Sequence, residues 1–357
     1  MKKIIFFSKN LEIGGMEKSL VNILNNLSKK YEVHLVLEEL TGDLLNDLDK
    51  SIIVSNYNIC NSKNIIIRKA INFSKRLIWT IKNYKKYYFS CNYSTYSFWA
   101  SRLAQVASNN SALYCHSNYY YVFNINKKEF INFFDNHRLN KFKKLIFVSN
   151  ECKKDFEKIY KFSNKKYVIN NLIDIDEILE RSKEKTDDIN LKNKNVFIFI
   201  GRLDNVSKNL DLLLESFLLA VKKDNSNILL IVGDGPYYNK IKEYISNNKL
   251  ESNILLLGSR KNPYYLLDKS DCLLLTSNYE GFPVVFNESL CLNKKIITTI
   301  SVSDGEIDIS KYAKIVEKDK ESIAKAICNM SKINKYKIDI NKINNIRLDN
   351  IIKMIEE

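Results

Sequence analysis

The stretch KIIFFSKNLEIGGMEKSLVNILNNLSKKYEVHLVL, residues 3–37, decides the fold. It begins with a short apolar run that is typical of a buried strand, and a Gly-Gly loop follows. Leu20, Ile23, Leu24 and Leu27 then fall at helical spacing, and a second apolar run comes after them. Strand, loop, helix and strand in this order predict a βαβ unit, the building block of doubly wound parallel sheets.

A second series of the same kind begins at Val196. The runs VFIFI, NILLIV, NILLLG, CLLLTS and KKIITTI predict strands, and helical patterns lie between them. A chain of 357 residues is too long for one ordinary core. We therefore predict two α/β domains, 1–175 and 196–339, with the polar segment 176–195 as linker. The tail 340–357 has helical spacing, and we expect it to pack back on the first domain.

Composition narrows the class of partner and the compartment. The formal net charge is +15, which favours anionic partners such as a phosphorylated metabolite, nucleic acid or an anionic membrane face. The seven cysteines are scattered without a CxxC pair, which argues against a disulfide framework or a zinc site. No apolar run reaches the ~18 residues of a membrane span. We expect a cytoplasmic protein, which could still lie on a membrane.

Two strand-to-helix loops carry residues suited to anions. In IGGMEKS, Gly14 and Gly15 would let a helix N-terminus approach a phosphate, although a plain tight turn explains them equally well. In FIGRLDNVSKN, Arg202 and Lys208 flank a polar loop after a strand and suit a diphosphate. The alternative is a pair of solvated loop cations.

The stretch NYEGFPVVFNESL, residues 278–290, sets two carboxylates eight positions apart around a Gly-Phe-Pro turn. It follows the strand CLLLTS, and ligands bind at the carboxyl ends of strands in such sheets. Pro283 suits the start of a helix, two turns of which would return Glu288 to the face below Glu280. Carboxylates accept hydrogen bonds from sugar hydroxyls. The alternative is two solvated acids on a surface helix.

GGME, GRL with a following KN, GDGP and EGFPVVFNES occur along the chain in this order. Together they resemble the family 4 (group 1) retaining glycosyltransferases of GT-B fold, of the bacterial surface-polysaccharide type. The resemblance covers nearly the whole chain. It implies two Rossmann-like domains facing across a cleft. The C-terminal domain would bind a UDP- or GDP-sugar and the N-terminal domain a glycan or lipid-linked glycan acceptor. It also implies no cofactor and no metal.

The same resemblance implies catalytic roles for four residues. Arg202 and Lys208 would neutralise the leaving diphosphate. Glu280 would bind hydroxyls of the donor sugar. His116, in YCHSNYYY, would lie near the reacting centre, although a lone histidine is more often structural.

Further residues are implied as binding groups. Glu288 would bind the ribose, the backbone of Gly281 and Phe282 the sugar, and Gly15 would bring the first loop to the phosphate. The remaining positions lie in the first loop, in the base-binding segment GSRKNP and at the start of the double-glutamate stretch: Gly14, Arg260 and Asn278.

The sequence departs from the family pattern at three places. The loop from Arg202 to Lys208 is one residue longer than usual, and Ser289 replaces an alanine. The glycine expected before the next strand is replaced by Asn293 or Lys294, which puts the shape of that loop in doubt.

Two rival functions remain. A nucleotide-sugar epimerase of GT-B fold would share the phosphate loops of the second domain. A basic nucleic-acid-binding protein would account for the charge, but the chain contains no recognisable nucleic-acid-binding motif and its basic residues are spread through both halves. We therefore expect no nucleic-acid partner.

The segment 65–89, IIIRKAINFSKRLIWTIKNYKKYYF, is basic and aromatic. Ile67, Ile71, Ile78 and Ile81 share one helical face, and cations recur along its flank. Such a helix fits the surface of an anionic membrane. It fits equally a helix that packs its apolar face on the sheet and leaves a solvated basic face.

Overall fold

The structure, a computed structural model, describes residues 1–57, 60, 62–186 and 189–357. The described chain divides into two compact units. Met1–Leu172 and Asn344–Glu357 form the first unit, and Ile173–Ile343 the second. The seven cysteines all fall in the described ranges and are free thiols.

The first unit contains, within its described residues, a seven-stranded parallel sheet in the order β3-β2-β1-β4-β5-β6-β7. Its strands are short and mostly apolar because helices cover both faces of a parallel sheet. They are β1 (Lys3–Ser8), β2 (Glu32–Leu37), β3 (Ile53–Asn56), β4 (Phe89–Asn92), β5 (Ser111–Cys115), β6 (Lys144–Phe147) and β7 (Lys165–Val168).

Helices connect these strands, and several begin at a side chain that caps the first turn. Ser97 and Ser149, for example, accept hydrogen bonds from the backbone of Ala100 and Cys152. The helices of the first unit are α1 (Gly15–Leu27), α2 (Ile65–Asn83), α3 (Phe98–Ala107), α4 (Tyr119–Val122), α5 (Lys127–Asn136) and α6 (Asn150–Glu157). Short 3₁₀ turns lie at Asp43–Asp47 and Leu139–Lys141.

The second unit is built around another parallel sheet, which in the described chain has six strands in the order β10-β9-β8-β11-β12-β13. The core lies where helices cover this sheet, and the fully buried rings of Phe197 and Phe217 meet there with centroids 5.9 Å apart. The strands are β8 (Asn195–Ile200), β9 (Asn227–Val232), β10 (Ile254–Gly258), β11 (Cys272–Leu275), β12 (Lys295–Thr298) and β13 (Lys314–Ile315).

The helices of the second unit begin before its first strand. They are α7 (Ile175–Arg181), α8 (Asn205–Lys208), α9 (Leu210–Lys223), α10 (Tyr238–Asn247), α11 (Tyr264–Lys269), α12 (Val284–Cys291), α13 (Ile309–Tyr312) and α14 (Lys320–Cys328). A 3₁₀ turn follows at Met330–Lys332. The last helix, α15 (Ile340–Glu356), crosses from the second unit into the first.

The end of α15 is fastened to the amino ends of the strands in the first sheet. The Lys144 ammonium donates to the carbonyl of Met354, and the Asn110 amide donates to the carbonyl of Ile355 over 2.9 Å. Tyr31 donates to the Glu356 carboxylate over 2.6 Å. The C-terminal helix therefore completes the packing of the first unit.

The sequence assigns residues 1–175 to the first domain, whereas the first unit ends at Leu172 and the second begins at Ile173. Residues 176–181, which the sequence assigns to the linker, belong to α7 and lie in the second unit. Asp174 caps α7 by accepting from Glu177 N over 2.9 Å. Residues 187 and 188 of the predicted linker lie outside the described residues.

Candidate functional site

The order of strands locates the site in the second unit. Strand order reverses between β8 and β11, which are neighbours in the sheet. The loops that follow these two strands are far apart in sequence, since 72 residues separate Lys208 in the first from Glu280 in the second. In open α/β sheets the loops at the carboxyl ends of two such strands diverge and leave a crevice for a ligand. The loop after β8 contains Arg202 and Lys208, and the loop after β11 contains Glu280. The fold therefore brings together two predicted motifs that are distant in sequence.

Lys208, Glu280 and Ser277 form a compact polar cluster in this crevice. Lys208 Nζ lies 2.5 Å from Glu280 Oε1, and Ser277 Oγ donates to the same oxygen over 2.6 Å. The side chains of Lys208 and Glu280 are only 19% and 12% exposed, so solvent weakens this ion pair little. The pair holds an ammonium group and a carboxylate at fixed positions at the strand ends.

Backbone and side-chain hydrogen bonds tie the two loops to each other. Asn278 N donates to the carbonyl of Ser207 over 2.7 Å, and its side-chain amide donates to the carbonyl of Val206 over 3.0 Å. Thr276 Oγ1 donates to the carbonyl of Lys208 over 3.0 Å. Asn278, predicted as a substrate-binding residue, thus has a structural role in joining the loops.

Arg202 lies at the solvent side of the same crevice. Its side chain is 74% exposed and pairs with Asp204 over 2.9 Å. Asp204 also caps the short helix α8 by accepting from Ser207 N over 3.1 Å. Burial raises the pKa of Asp204, but the hydrogen bonds from Ser207 and Arg202 outweigh it and leave the pKa below the usual value.

The GDGP motif supports the loop that contains Arg202. Gly233 and Gly235 have φ values of +148° and +156°, and a Cβ at Gly233 would overlap the carbonyl of Gly201. The carbonyl of Asp234 accepts from Leu203 N over 2.8 Å. Glycine is required here because one loop runs directly against the backbone of another.

The second glutamate has a different partner from the first. Glu288 lies in the second turn of α12, is 8% exposed and accepts from the hydroxyl of Tyr264 over 3.1 Å. Burial, and next the charge of Glu288, raises the pKa of Tyr264 well above its usual value, so this tyrosine remains a donor. Glu280 pairs with Lys208 and Glu288 accepts from Tyr264, so the two carboxylates have different side-chain partners.

The turn between the glutamates is largely buried. Phe282 is 4% exposed, and its ring meets that of Phe286 with centroids 6.0 Å apart. Gly281 is buried as well. Pro283 occupies the N-cap position, one residue before α12 begins at Val284, where its fixed φ suits the entry into a helix.

Arg260 lies in the loop after β10. Its guanidinium donates to the carbonyl of Leu257 near the end of β10 and to that of Ser259 in its own loop. Asn262 ties that loop to α7 by donating to the carbonyl of Arg181 over 2.8 Å. The structure thus places Arg260 two strands away from β8, on the β10 side of the sheet.

The predicted residues of the first unit lie at the carboxyl ends of its strands. Gly14 is the N-cap residue of α1, and Gly15 is its first helical residue. A Cβ at Gly14 would overlap the Glu17 carboxylate, which folds back over the start of the helix. Burial raises the pKa of Glu17. An acidic side chain therefore already stands at this helix N-terminus, where the sequence suggests a phosphate.

His116 directly follows β5 and is enclosed by aromatic rings. Its ring stacks on Tyr114 at 4.4 Å with an interplanar angle of 9° and lies 4.5 Å from the ring of Tyr93. Burial lowers the pKa of His116 to about 3, and the backbone of Tyr93 and the side chain of Asn171 oppose this shift only in part. The imidazole is therefore neutral at physiological pH.

The sequence did not predict three residues that lie at or near this site. Ser277 and Tyr264 complete the two carboxylate sites, and Lys318 Nζ donates to the carbonyl of Asn278 over 3.1 Å. Ser277 lies two residues after the end of β11, a position that could have indicated a ligand-facing hydroxyl. Lys318 follows β13, and no local pattern distinguishes it from other lysines.

The described residues contain neither a metal-binding cluster nor a membrane-spanning helix. No group of three or more His, Cys, Asp or Glu side chains is arranged to hold a metal ion. None of the described helices has the length and apolar character that crossing a bilayer demands.

Family models match both halves of the chain. Residues 13–177 match Glycosyltransferase Family 4, and residues 181–344 match Glycosyl transferases group 1. The fold and the crevice define a protein of two Rossmann-like α/β domains, as in glycosyltransferases of GT-B fold. The chain belongs to the glycosyltransferases that combine these two domains.

Curated relatives differ in how far the similarity extends. The N-acetylgalactosamine-N,N'-diacetylbacillosaminyl-diphospho-undecaprenol 4-alpha-N-acetylgalactosaminyltransferase of Campylobacter jejuni is 27% identical over 336 residues, 90% of this chain and 88% of its own. An uncharacterized glycosyltransferase of Methanocaldococcus jannaschii is 35% identical over 159 residues, 43% of this chain. That match spans only 39% of the archaeal protein.

Solved structures share the fold over the full length. Anabaena HepE, in complex with UDP and glucose, has a TM-score of 0.76 at 16% identity, covering 100% of this chain and 98% of its own. TarM of S. aureus, in complex with Fondaparinux, alpha-GlcNAc-glycerol and UDP, has a TM-score of 0.72 at 16% identity, covering 99% and 97%. At these identities the similarity establishes the fold alone.

Proposed function

We propose that this protein is a retaining hexosyltransferase that moves a sugar from a UDP- or GDP-sugar to a glycan or lipid-linked glycan acceptor. We place the reaction in capsule, lipopolysaccharide or other surface-glycan assembly, on the cytoplasmic side. The observation that carries the proposal is the cluster of Lys208, Glu280 and Ser277 at the point where strand order reverses.

The chemistry of this cluster fits departure of a nucleoside diphosphate. Negative charge grows on the diphosphate as the bond to the sugar breaks, and cations fixed beforehand stabilise it most. Lys208 is fixed by Glu280, whereas Arg202 is exposed and can turn from Asp204 to a phosphate as a planar fork. In this proposal the two cations supply the charge stabilisation without a metal or other cofactor.

The carboxylates would hold the donor rather than exchange protons. Glu280 Oε1 accepts from Lys208 and Ser277, which fixes the carboxylate in place. In the proposal this carboxylate also accepts from a hydroxyl of the donor sugar, as carboxylate oxygens can accept several hydrogen bonds. Glu288 would accept from the ribose beside Tyr264, and the backbone of Gly281 would contact the sugar. Arg260 would lie near the base.

His116 is proposed as a neutral hydrogen-bonding group for the sugar. Its pKa of about 3 excludes a permanent imidazolium at neutral pH. Gly14 and Gly15 would bring the first loop close to the donor phosphate. Transfer with retention is part of the proposal because the motifs of this chain resemble those of retaining enzymes.

The relatives support the substrate class. The name of the Campylobacter jejuni relative describes a transferase that acts on a diphospho-undecaprenol-linked sugar. Two structural neighbours were solved with UDP. These properties belong to those proteins, and we extend them to this chain as a proposal.

A donor screen followed by a transfer assay tests the function. The purified protein is heated with a panel of UDP- and GDP-sugars, since a true donor raises the melting temperature by binding the folded state. The stabilising donor is then supplied with lipid-linked glycans in the presence of a chelator, and the anomeric configuration of the product is read by NMR. Stabilisation by none of the donors, or release of an epimerised nucleotide sugar without transfer, contradicts the proposal.

Site variants connect the activity to the crevice. We expect Lys208→Ala and Glu280→Gln each to lower turnover by about 10²–10³-fold with the fold intact, as for loss of one preorganised charge stabiliser. Lys222→Ala, which removes an exposed lysine in α9, is the matched control and should retain full turnover. Near-normal turnover of either crevice variant would remove this cluster from the mechanism.

A further inference from the structure

Helix α2 presents its apolar face to solvent. Its residues repeat every 100° around the helix axis, and one arc of roughly 160° is almost wholly apolar. None of its side chains is buried. The large apolar side chains of this arc are between 38% and 79% exposed: Ile66, Ile67, Ile71, Phe73, Leu77, Ile78 and Ile81.

The opposite side of α2, which is mostly polar, packs on the protein. Asn72 Oδ1 accepts from the backbone of Cys60 over 2.6 Å, and the Arg76 guanidinium lies 4.1 Å from the ring of Trp99. Trp79 meets the buried ring of Phe7 edge-on at 5.6 Å. A helix docked on a soluble core does the reverse and buries its apolar stripe. Packing of the apolar face on the sheet, one of the two sequence-based interpretations, is therefore wrong.

Positive charge borders the apolar arc. Arg68, Lys75 and Lys82 recur every seven residues and line one edge of the arc, and Lys69 lies near the other edge. The helix contains no acidic residue, and the whole chain has a formal net charge of +15. A second copy of this chain would set these cations against each other.

We propose that α2 is a docking surface for an anionic lipid bilayer. The helix lies in the plane of the membrane surface, with the arc from Ile66 to Ile81 inserted among the acyl chains and its cations at the level of the lipid phosphates. With 19 residues it is about 28 Å long, which suits a helix lying along the interface. The contact involves α2 and not the crevice of the second unit, so vesicle binding and donor binding are separate measurements.

Flotation of the full-length protein with vesicles tests the inference. One set of vesicles contains phosphatidylcholine alone, and the other phosphatidylcholine with phosphatidylglycerol. We expect the protein to float with the anionic vesicles, and salt to weaken the binding. Failure to float with anionic vesicles at low salt would overturn the inference, as would equal binding to both kinds of vesicle.

Two sets of substitutions separate insertion from charge. In the first, Ile66, Phe73, Leu77 and Ile81 are replaced by serine, and binding should be abolished while the exposed positions leave the melting temperature unchanged. In the second, Arg68, Lys75 and Lys82 are replaced by glutamine. At about fivefold per charge, partitioning should fall by roughly 100-fold.

Matched controls lie in the second unit. Lys222, Lys223 and Lys249 replaced by glutamine remove the same charge elsewhere, and Leu179→Ser removes one exposed apolar side chain elsewhere. These controls should bind vesicles like the unmodified protein. A fall in binding as large as that of the α2 variants would show a general charge effect and refute the assignment to α2.

A fluorescent reporter tests the orientation. Phe73→Trp places an indole at one edge of the proposed inserted arc, and brominated lipids should quench it on vesicle binding. The same lipids should not quench an indole introduced by Leu179→Trp. No quenching at position 73 overturns the orientation. Dimerisation that the serine substitutions abolish, without vesicle binding, would assign the surface to a second copy instead.

Discussion

Replacing Gly233 by alanine tests whether the GDGP turn holds the cation loop in place. At its φ of +148° an L side chain is strained, which costs about 1–3 kcal/mol. The new Cβ would also lie 3.0 Å from the carbonyl carbon of Gly201 and overlap its oxygen. Carbon and oxygen atoms in contact are about 3.3–3.6 Å apart. The Cβ would lie 1.9 Å from the Gly201 oxygen. The Gly201 loop must therefore move by about 1 Å or more.

Movement of that loop has a further cost and a consequence for function. Gly201 N donates to the carbonyl of Val232 over 3.0 Å, and weakening this bond adds about 1 kcal/mol. We therefore expect Gly233→Ala to lower the free energy of unfolding by about 2–4 kcal/mol, less a few tenths for the stiffer unfolded chain. Because Arg202 follows Gly201 directly, donor affinity should fall as well.

Gly305→Ala is the matched control. Gly305 also has a positive φ, +98°, but a Cβ there would meet no atom within 4 Å. Gly305→Ala should lower the free energy of unfolding only by the backbone strain, about 1–3 kcal/mol, and should leave donor binding unchanged. Urea unfolding gives the free energies, and calorimetry with the donor gives the affinities. If Gly233→Ala is no less stable than Gly305→Ala, the close approach of the two loops is not what holds Gly201.

Three further predictions concern single residues. Asn293 has a φ of +53°, and its Oδ1 has no partner among the described residues. Asn293→Ala should therefore destabilise the fold by about 1 kcal/mol in urea unfolding, whereas Asn293→Gly should not. Equal losses of stability would argue against backbone strain at this position. Hydrogen bonds from Lys2 and Tyr31 lower the pKa of Glu356 to about 2, so its contribution to the stability of the fold is present above the unfolded pKa of 4.5 and is lost as the pH falls towards 2. Hydrogen exchange at the end of α15 should rise in that pH range, and Glu356→Gln should remove this pH dependence. The pKa of His116 is lowered from 6.5 to about 3, so the stability of the fold should fall as the pH drops below 6.5, by about 1 kcal/mol between about pH 7.5 and about pH 5.5. His116→Gln should flatten this slope, and an unchanged slope would show that His116 is not buried in its neutral form.

Local patterns predict much of the second unit. The apolar runs indicate its main strands, and the helix predicted to start at Pro283 is observed at Val284–Cys291. The strands are predictable because a buried parallel strand is a short continuous apolar run. The start of this helix is predictable because the fixed φ of proline suits the entry into a helix. The doubt over the loop at Asn293 is resolved by its positive φ, since asparagine tolerates the left-handed conformation that the missing glycine would adopt.

The sequence by itself determined the class of fold, two successive βαβ series, and the loops in which ligand-binding residues occur. It did not determine which side chains meet. Lys208 reaches Glu280, and Tyr264 reaches Glu288, only because strand order sets β8 beside β11 and places α11 near α12. Nor could it decide which face of α2 packs on the protein, because an apolar stripe has the same period whether it faces a core or a membrane. Only the tertiary structure, in which Asn72, Arg76 and Trp79 occupy the inner side, shows that this stripe faces outward.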